Sequence, residues 1–161
     1  WPRSFMPTSQ AERSMIADVF GGGSRKGGGS ALAALARRHL GSDTTELPDP
    51  VLRDQIAQAE LDTRCFNLTV QRSRDGMKAG HRPGPETSMF KYYATELNER
   101  RHELMVRIAG PQGLGWEGEG FEGEDLALTR AWLRSRGNSI EGGTSEVQLN
   151  VIAKRVLGLP D

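Results

Sequence analysis

Two glycines run directly into Thr144-Ser145-Glu146, and those residue types in that order could do chemistry. A threonine at a helix start can cap exposed backbone amides, and a glutamate in the first turn suits the positive end of the helix dipole. Glycines before such a start leave outward-pointing amides open to a phosphate, so one short motif serves either plain capping or anion binding. The run GGGSRKGGGS at residues 21–30 raises a similar question: linker, phosphate-cradling loop or side-chain-poor helix. A phosphate loop needs Gly-x-x-x-x-Gly-Lys-Ser/Thr, and Lys26 is followed by Gly27 instead. As a linker it would tether only the short segment before it, too little chain for a core.

Other reactive side chains read as structure. His39, His81 and His102 lie far apart with no close spacing to another ligand type, so no metal site is expected and all three read as surface histidines. Cys65, between Arg64 and Phe66 in the middle of a helical pattern, reads as a small buried hydrophobe. Trp116 and Phe121, in an acidic glycine-rich stretch, read as packing anchors. Glu12-Arg13 taken alone is a solvated pair on a helix surface.

The chain of 161 residues is 36% hydrophobic, enough for one domain with its own core. Its 21 basic and 21 acidic residues cancel, which favours neither nucleic acid nor an anionic membrane as partner. One cysteine excludes an internal disulfide framework, and no apolar run approaches the roughly 20 residues that span a bilayer. A soluble cytoplasmic protein without a signal peptide is expected, and an opening on Trp1 suggests part of something longer.

The elements that must position these residues are helices. Leu52, Ile56, Ala59, Thr63, Phe66 and Val70 recur at three-and-four spacing and predict a helix over about 51–79, entered through Pro48 and Pro50. Phe90, Tyr93, Ala94, Leu97, Leu104 and Ile108 predict a second over about 86–109, with Tyr92 pointing elsewhere and Gly110-Pro111 ending it. The short connection His81-Arg82-Pro83-Gly84-Pro85 would lay the two side by side and antiparallel. Leu128 and Trp132 mark a shorter helix stopping near Gly137-Asn138. The last helix should begin at Thr144, carry Val147, Val151, Ile152 and Val156 as an apolar face, and stop at Gly158-Leu159-Pro160.

The stretch IEGGTSEVQLNVIAKRVLGLP, residues 140–160, resembles the C-terminal signature of the acyl-CoA dehydrogenase family. The order of long helices is similar to that family's C-terminal bundle, and the likeness reaches back to Glu12-Arg13. It implies an all-α fold, an antiparallel up-and-down four-helix bundle, without the family's N-terminal helical and middle β domains. It also implies α,β-desaturation of an acyl-CoA thioester by the full-length protein, in which a carboxylate takes the α proton and FAD accepts hydride from the β carbon. This chain alone would be inactive. A homo- or hetero-oligomer, a tetramer in the family, is the implied assembly.

In much of the family the base stands two residues before the threonine of the signature, a position held here by Gly142. Glu141 is adjacent, but one residue of displacement turns a side chain by about 100° on a helix, or to the opposite side of an extended segment. Another branch carries its base in a Glu-Arg pair on the first helix of the domain, which makes Glu12 the candidate catalytic residue. A partner subunit supplying the base, as in mixed tetramers of steroid-degrading relatives, also fits Gly142. So does a non-catalytic assembly subunit.

The resemblance carries FAD contacts over unevenly. Thr144 and Glu146 match positions that touch the adenosine and pyrophosphate portion. The family's Arg-x-x-Phe-Gly, which reaches a neighbouring subunit's FAD, reads as Arg37-Arg-His-Leu40-Gly41, with the aromatic replaced by Leu40. Its Gln-x-x-Gly-Gly aligns with Ala109-Gly-Pro-Gln112-Gly113, so Gln112 and Gly113 lie in the motif while its leading glutamine is lost. The resemblance also turns residues 21–30 into helix, continuous with Ala31 to Arg37, at a cost of roughly 1 kcal/mol per glycine. Helix in the intact assembly, and mobility in this chain alone, are expected there.

Overall fold

A computed structural model describes residues 31–41, 47–85, 87–121 and 123–160. Glu12, its neighbour Arg13 and the glycine run at 21–30 lie outside the described residues.

Five helices follow one another, and no strand occurs among the described residues: α1 Ala31–Leu40, α2 Pro50–Lys78, α3 Thr87–Ala109, α4 Gly123–Ser135 and α5 Ser145–Val151. Tight 3₁₀ turns at Gly110–Leu114 and Arg136–Ser139 close α3 and α4, and α5 widens into a π turn over Ile152–Val156. The described residues are thus all-helical, as expected, with five helices among them where four main ones are read from the sequence.

Local signals set the ends. Asp49 caps α2 by accepting from the amides of Val51 and Leu52, and Pro50 occupies the first turn, where a missing N–H costs nothing. Gly80 and Gly110, at φ +92° and +57°, turn the chain out of α2 and α3 in a conformation that suits glycine.

Helix α3 is the axis of the molecule, packing against α1, α2, α4 and α5. Its contacts with α2 run in opposite order along the two chains. Phe66 and Val70, late in α2, meet Ala94 and Leu97, early in α3. Leu52 and Ile56, early in α2, meet Leu104 and Ile108, late in α3, and there Leu32 and Ala36 of α1 complete the core. The predicted antiparallel hairpin is therefore present. Phe66 also stacks against Phe90 and Tyr93, with ring centroids 6.2 and 5.8 Å apart, in the tilted geometries aromatic pairs favour.

Helix α4 buries polar side chains, Asp125, Thr129 and Ser135. Thr129 donates to the Gly113 carbonyl (2.9 Å), which ties α4 to the turn after α3. Asp125, 1% exposed, receives Arg38 from the end of α1 and lies 3.0 Å from His39 Nε2. Arg38 also pairs with Glu124. These contacts hold α1 to the start of α4.

Three expectations need correction. Cys65 is exposed, because it precedes the core-facing Phe66 by one position, about 100° around the helix. His39 is not a free surface histidine, since its side chain is only 12% exposed and engaged by Asp125. Trp116 is half exposed, with Arg130 5.1 Å above its ring, while Phe121 does pack as an anchor, directly over Gly115. The predicted apolar face of the last helix forms, with Val147 and Val156 exposed and Val151 and Ile152 half-buried.

Candidate functional site

The candidate residues fall into two groups at opposite ends of α3. One is the turn that opens α5. Thr144 takes an extended backbone conformation, and its hydroxyl accepts from the Val147 amide at 3.3 Å, so it is the cap its sequence context predicts. Gly142 and Gly143 precede it at φ +63° and +103°, and Gln148 donates back to the Gly142 carbonyl (3.4 Å). Glu146 is held below the usual carboxylate range by a hydrogen bond from its own backbone amide first and the Thr144 hydroxyl second.

This turn rests on a buried polar floor. Lys91, 3% exposed, donates from Nζ to the Asn138 carbonyl at 2.8 Å, and Thr95 lies 3.5 Å from the same oxygen. Asn98 donates to the Asn138 side-chain oxygen at 3.0 Å, and Arg136 reaches Glu99 (3.4 Å) and Glu103 (2.8 Å). Burial pushes Glu99 up, and the Arg136 charge partly offsets it. Sequence periodicity counts Lys91 and Asn98 as solvent-facing types. Their signal was positional: Lys91, Ala94, Thr95 and Asn98 share one face of α3, and a lysine in that apolar stripe must find a partner.

Glu141 sits beside the position where much of the resembling family keeps its base, and it is occupied. Arg134 grips both carboxylate oxygens, Nη1 on Oε1 and Nη2 on Oε2 at 3.0 Å. That hydrogen bonding holds the carboxyl below its ordinary range. A carboxylate so held is a weak proton acceptor near neutral pH. Gly142 cannot simply exchange for glutamate either, since its left-handed backbone disfavours a Cβ.

The second group lies at the other end. Arg37 and Leu40 are exposed at the end of α1. Gln112 donates to the Gly120 carbonyl at 3.2 Å, and its own side-chain oxygen is buried without a partner. Gly113 is buried where a Cβ would stand 2.6 Å from the Val106 carbonyl oxygen, so close packing alone requires glycine there. Lys91 and Ala109 mark the two ends, and 18 helical steps between them amount to about 27 Å. Among the described residues no cluster of ligand types could hold a metal ion, and no helix is long and apolar enough to cross a membrane. A groove of about 410 Å³ between α2 and α3, lined by Gln55, Thr63, Leu97, Arg101 and Leu104 among others, includes none of the candidates.

Residues 3–157 match the family described as acyl-CoA dehydrogenase, C-terminal domain. The chain belongs to the acyl-CoA dehydrogenase family. It is 30% identical over 131 residues to acyl-CoA dehydrogenase IpdE1 of Mycobacterium tuberculosis, covering 81% of this chain and 31% of that protein. The protein of the same name from Mycolicibacterium smegmatis is 29% identical over 131 residues, covering 81% and 30%. The chain therefore spans about a third of the length of these relatives. Its fold is similar to the ChsE4-ChsE5 complex from Mycobacterium tuberculosis (TM-score 0.65, 19% identity, 90% of this chain and 36% of that one). It is similar also to the Tcur3481-Tcur3483 steroid ACAD (TM-score 0.67, 19% identity, 95% and 38%).

The opening of α5 brings together glycines, two hydroxyls and a carboxylate. The Gln148 amide folds back over the two glycines, its Nε2 2.7 Å from where a Cβ on Gly143 would stand, and the Ser145 hydroxyl is buried without a partner one residue after the cap. Glu146 is an ionised acceptor for a hydroxyl or amino group rather than for a phosphate. The second group does not converge on this turn.

Proposed function

We propose that this chain is the C-terminal helical domain of an FAD-dependent acyl-CoA dehydrogenase that desaturates an acyl-CoA thioester between its α and β carbons. The carrying observation is the family match over 3–157 together with the capped twin-glycine turn at 142–144. Flavin, when bound, supplies the hydride acceptor. Thr144 would face its adenosine diphosphate portion, and Glu146 would accept from the adenosine.

Glu12 is the proposed base, taking the α proton as hydride leaves the β carbon. Its rival Glu141 is neutralised by Arg134. The distance between the two candidate groups supports a shared arrangement: one chain offers Thr144 and Glu146 to its own flavin, and Arg37, Leu40, Gln112 and Gly113 toward that of a neighbour. An oligomer follows from this reading. The apolar residues left exposed on α5 and its π turn, Val147, Leu149 and Val156, fit burial against further protein.

A second reading is favoured by one observation: the family's usual base position is Gly142 in this chain, and the adjacent Glu141 is engaged by Arg134. In that reading the chain is a non-catalytic assembly subunit and a partner supplies the base. Both structural neighbours carry paired names, which suits a hetero-oligomer. Replacing Glu12 by Gln in the full-length protein separates the two. Loss of turnover with retained flavin supports the first reading, and unchanged turnover supports the second.

A further inference from the structure

Two buried polar side chains one turn apart on α4, Asp125 at 1% and Thr129 at 7% exposed, hold two segments that are far apart in the chain. Asp125 grips the last turn of α1, where it pairs with Arg38 and lies 3.0 Å from His39 Nε2. Thr129 donates to the Gly113 carbonyl at 2.9 Å, in the turn that follows α3. Residues four apart on a helix stand about 5–6 Å from each other at Cβ, so both segments are drawn onto one face of α4. Apolar side chains would serve for packing alone. A carboxylate and a hydroxyl also fix direction, because hydrogen bonds weaken steeply when bent.

The segments so held are the two halves of the second candidate group. Arg37 and Leu40 lie on the α1 turn that Asp125 grips, and Gln112 and Gly113 lie in the turn that Thr129 grips. Of the three basic residues in the last turn of α1, Arg38 and His39 are drawn onto the start of α4. Arg37 is exposed and makes no ion pair among the described residues. With its two neighbours fixed, the helical step of about 100° per residue turns Arg37 away from α4. The bracket therefore sets the direction of a cation that it does not itself touch.

We propose that Asp125 and Thr129 are positioning residues for the flavin contact offered to a neighbouring subunit: their bracket on α4 holds the end of α1 and the turn after α3 in one fixed relation, so that Arg37 and Gln112 are presented together. This rests on the proposed function above. Both residues are buried and touch neither cofactor nor substrate.

The test uses the full-length protein with any subunit that copurifies, in wild-type, Asp125→Asn, Arg37→Gln and doubly substituted forms. The FAD dissociation constant is measured well below the melting transition, and the melting temperature of the deflavinated protein is recorded beside it. Asp125→Asn adds a net positive charge, whose field alone would favour an anionic ligand, so weaker FAD binding reports lost placement. Asp125→Asn is expected to bind FAD about tenfold more weakly, and to lose less than about threefold in the Arg37→Gln background, because residues that act through one another are not additive. If Asp125→Asn fails to fold, Thr129→Val measured in the same way against Gln112→Ala decides by the same criterion. Asp125→Asn binding as tightly as wild type, an equal loss in both backgrounds, or Arg37→Gln without effect overturns the bracket and leaves the flavoprotein reading intact. A wild type that binds no FAD overturns both.

Discussion

Arg134 holds both oxygens of the Glu141 carboxylate, and Gly137 makes room for the pair: a Cβ there would stand 2.9 Å from the arginine's Nη1 and 3.2 Å from Glu141 Oε1. The acid nearest to the family's usual base position is thus a structural clasp between α4 and the glycine turn. Replacing Glu141 by Gln in the full-length enzyme should leave turnover within about twofold, whereas general-base loss at Glu12 should cost about 10²-fold or more. Steady-state kinetics on both variants checks this. A large loss at Glu141 alone would make it the base.

The same clasp has a pH signature. The folded-state pKa of Glu141 is lowered, so its contribution to stability is present above the ordinary carboxylate value and is lost as pH falls through the depressed one. Glu99 behaves oppositely. Its folded pKa is raised by burial, so its carboxylate weakens the fold increasingly as pH rises from the ordinary value through the raised one. Denaturant melts from acid to neutral pH should show a shallower acid loss in Glu141→Gln. Glu99→Gln should show less loss of stability on the rise toward neutrality. The Glu141 effect should be small, about 1 kcal/mol or less, because the Arg134 and Glu141 side chains are 55% and 31% exposed.

Gly113 stands in a motif that the family resemblance assigns to cofactor contact, but its surroundings make a prediction without any cofactor. A Cβ at 113 meets the Val106 carbonyl oxygen at 2.6 Å, a backbone atom that cannot swing aside. Gly113→Ala should destabilise the apoprotein by about 1–3 kcal/mol. Gly115→Ala should do likewise against the Phe121 ring. Thermal melts in the absence of flavin read both, and an unshifted midpoint for Gly113→Ala would return that glycine to a purely ligand-binding role.

Thr144 should behave differently. Its cap is worth about 1 kcal/mol to a helix, but α5 buries no residue, so the loss stays local. Thr144→Ala should speed amide exchange over Ser145–Val151 while barely moving the global midpoint. A cooperative drop in midpoint would mean that α5 belongs to the main folding unit.

The helices were legible because their ends and faces are local: Pro50 at a first turn, Gly110-Pro111 at an exit, Leu52 to Val70 along one stripe. The hairpin followed from a connection too short to do otherwise. Hidden from the sequence were the partners of polar residues far apart in the chain. Asp125 looks like an ordinary acidic residue of a helix start until Arg38, on another helix, meets it, and Lys91 looks solvated until Asn138 arrives. Nor does periodicity reveal the π turn at Ile152–Val156, which lies inside an apparently regular pattern. Thr144 was found because a cap is a local event. The two-ended placement of the remaining candidates could not be found that way, since it depends on the length and packing of α3.

The central claim is that this chain works with a bound flavin. Its most direct test is the flavin content and visible absorption of the purified full-length protein, alone and with any subunit that copurifies, before and after adding acyl-CoA. The account predicts a yellow protein whose flavin absorption is bleached by a dehydrogenatable acyl-CoA. A protein that stays colourless after incubation with excess FAD would contradict it.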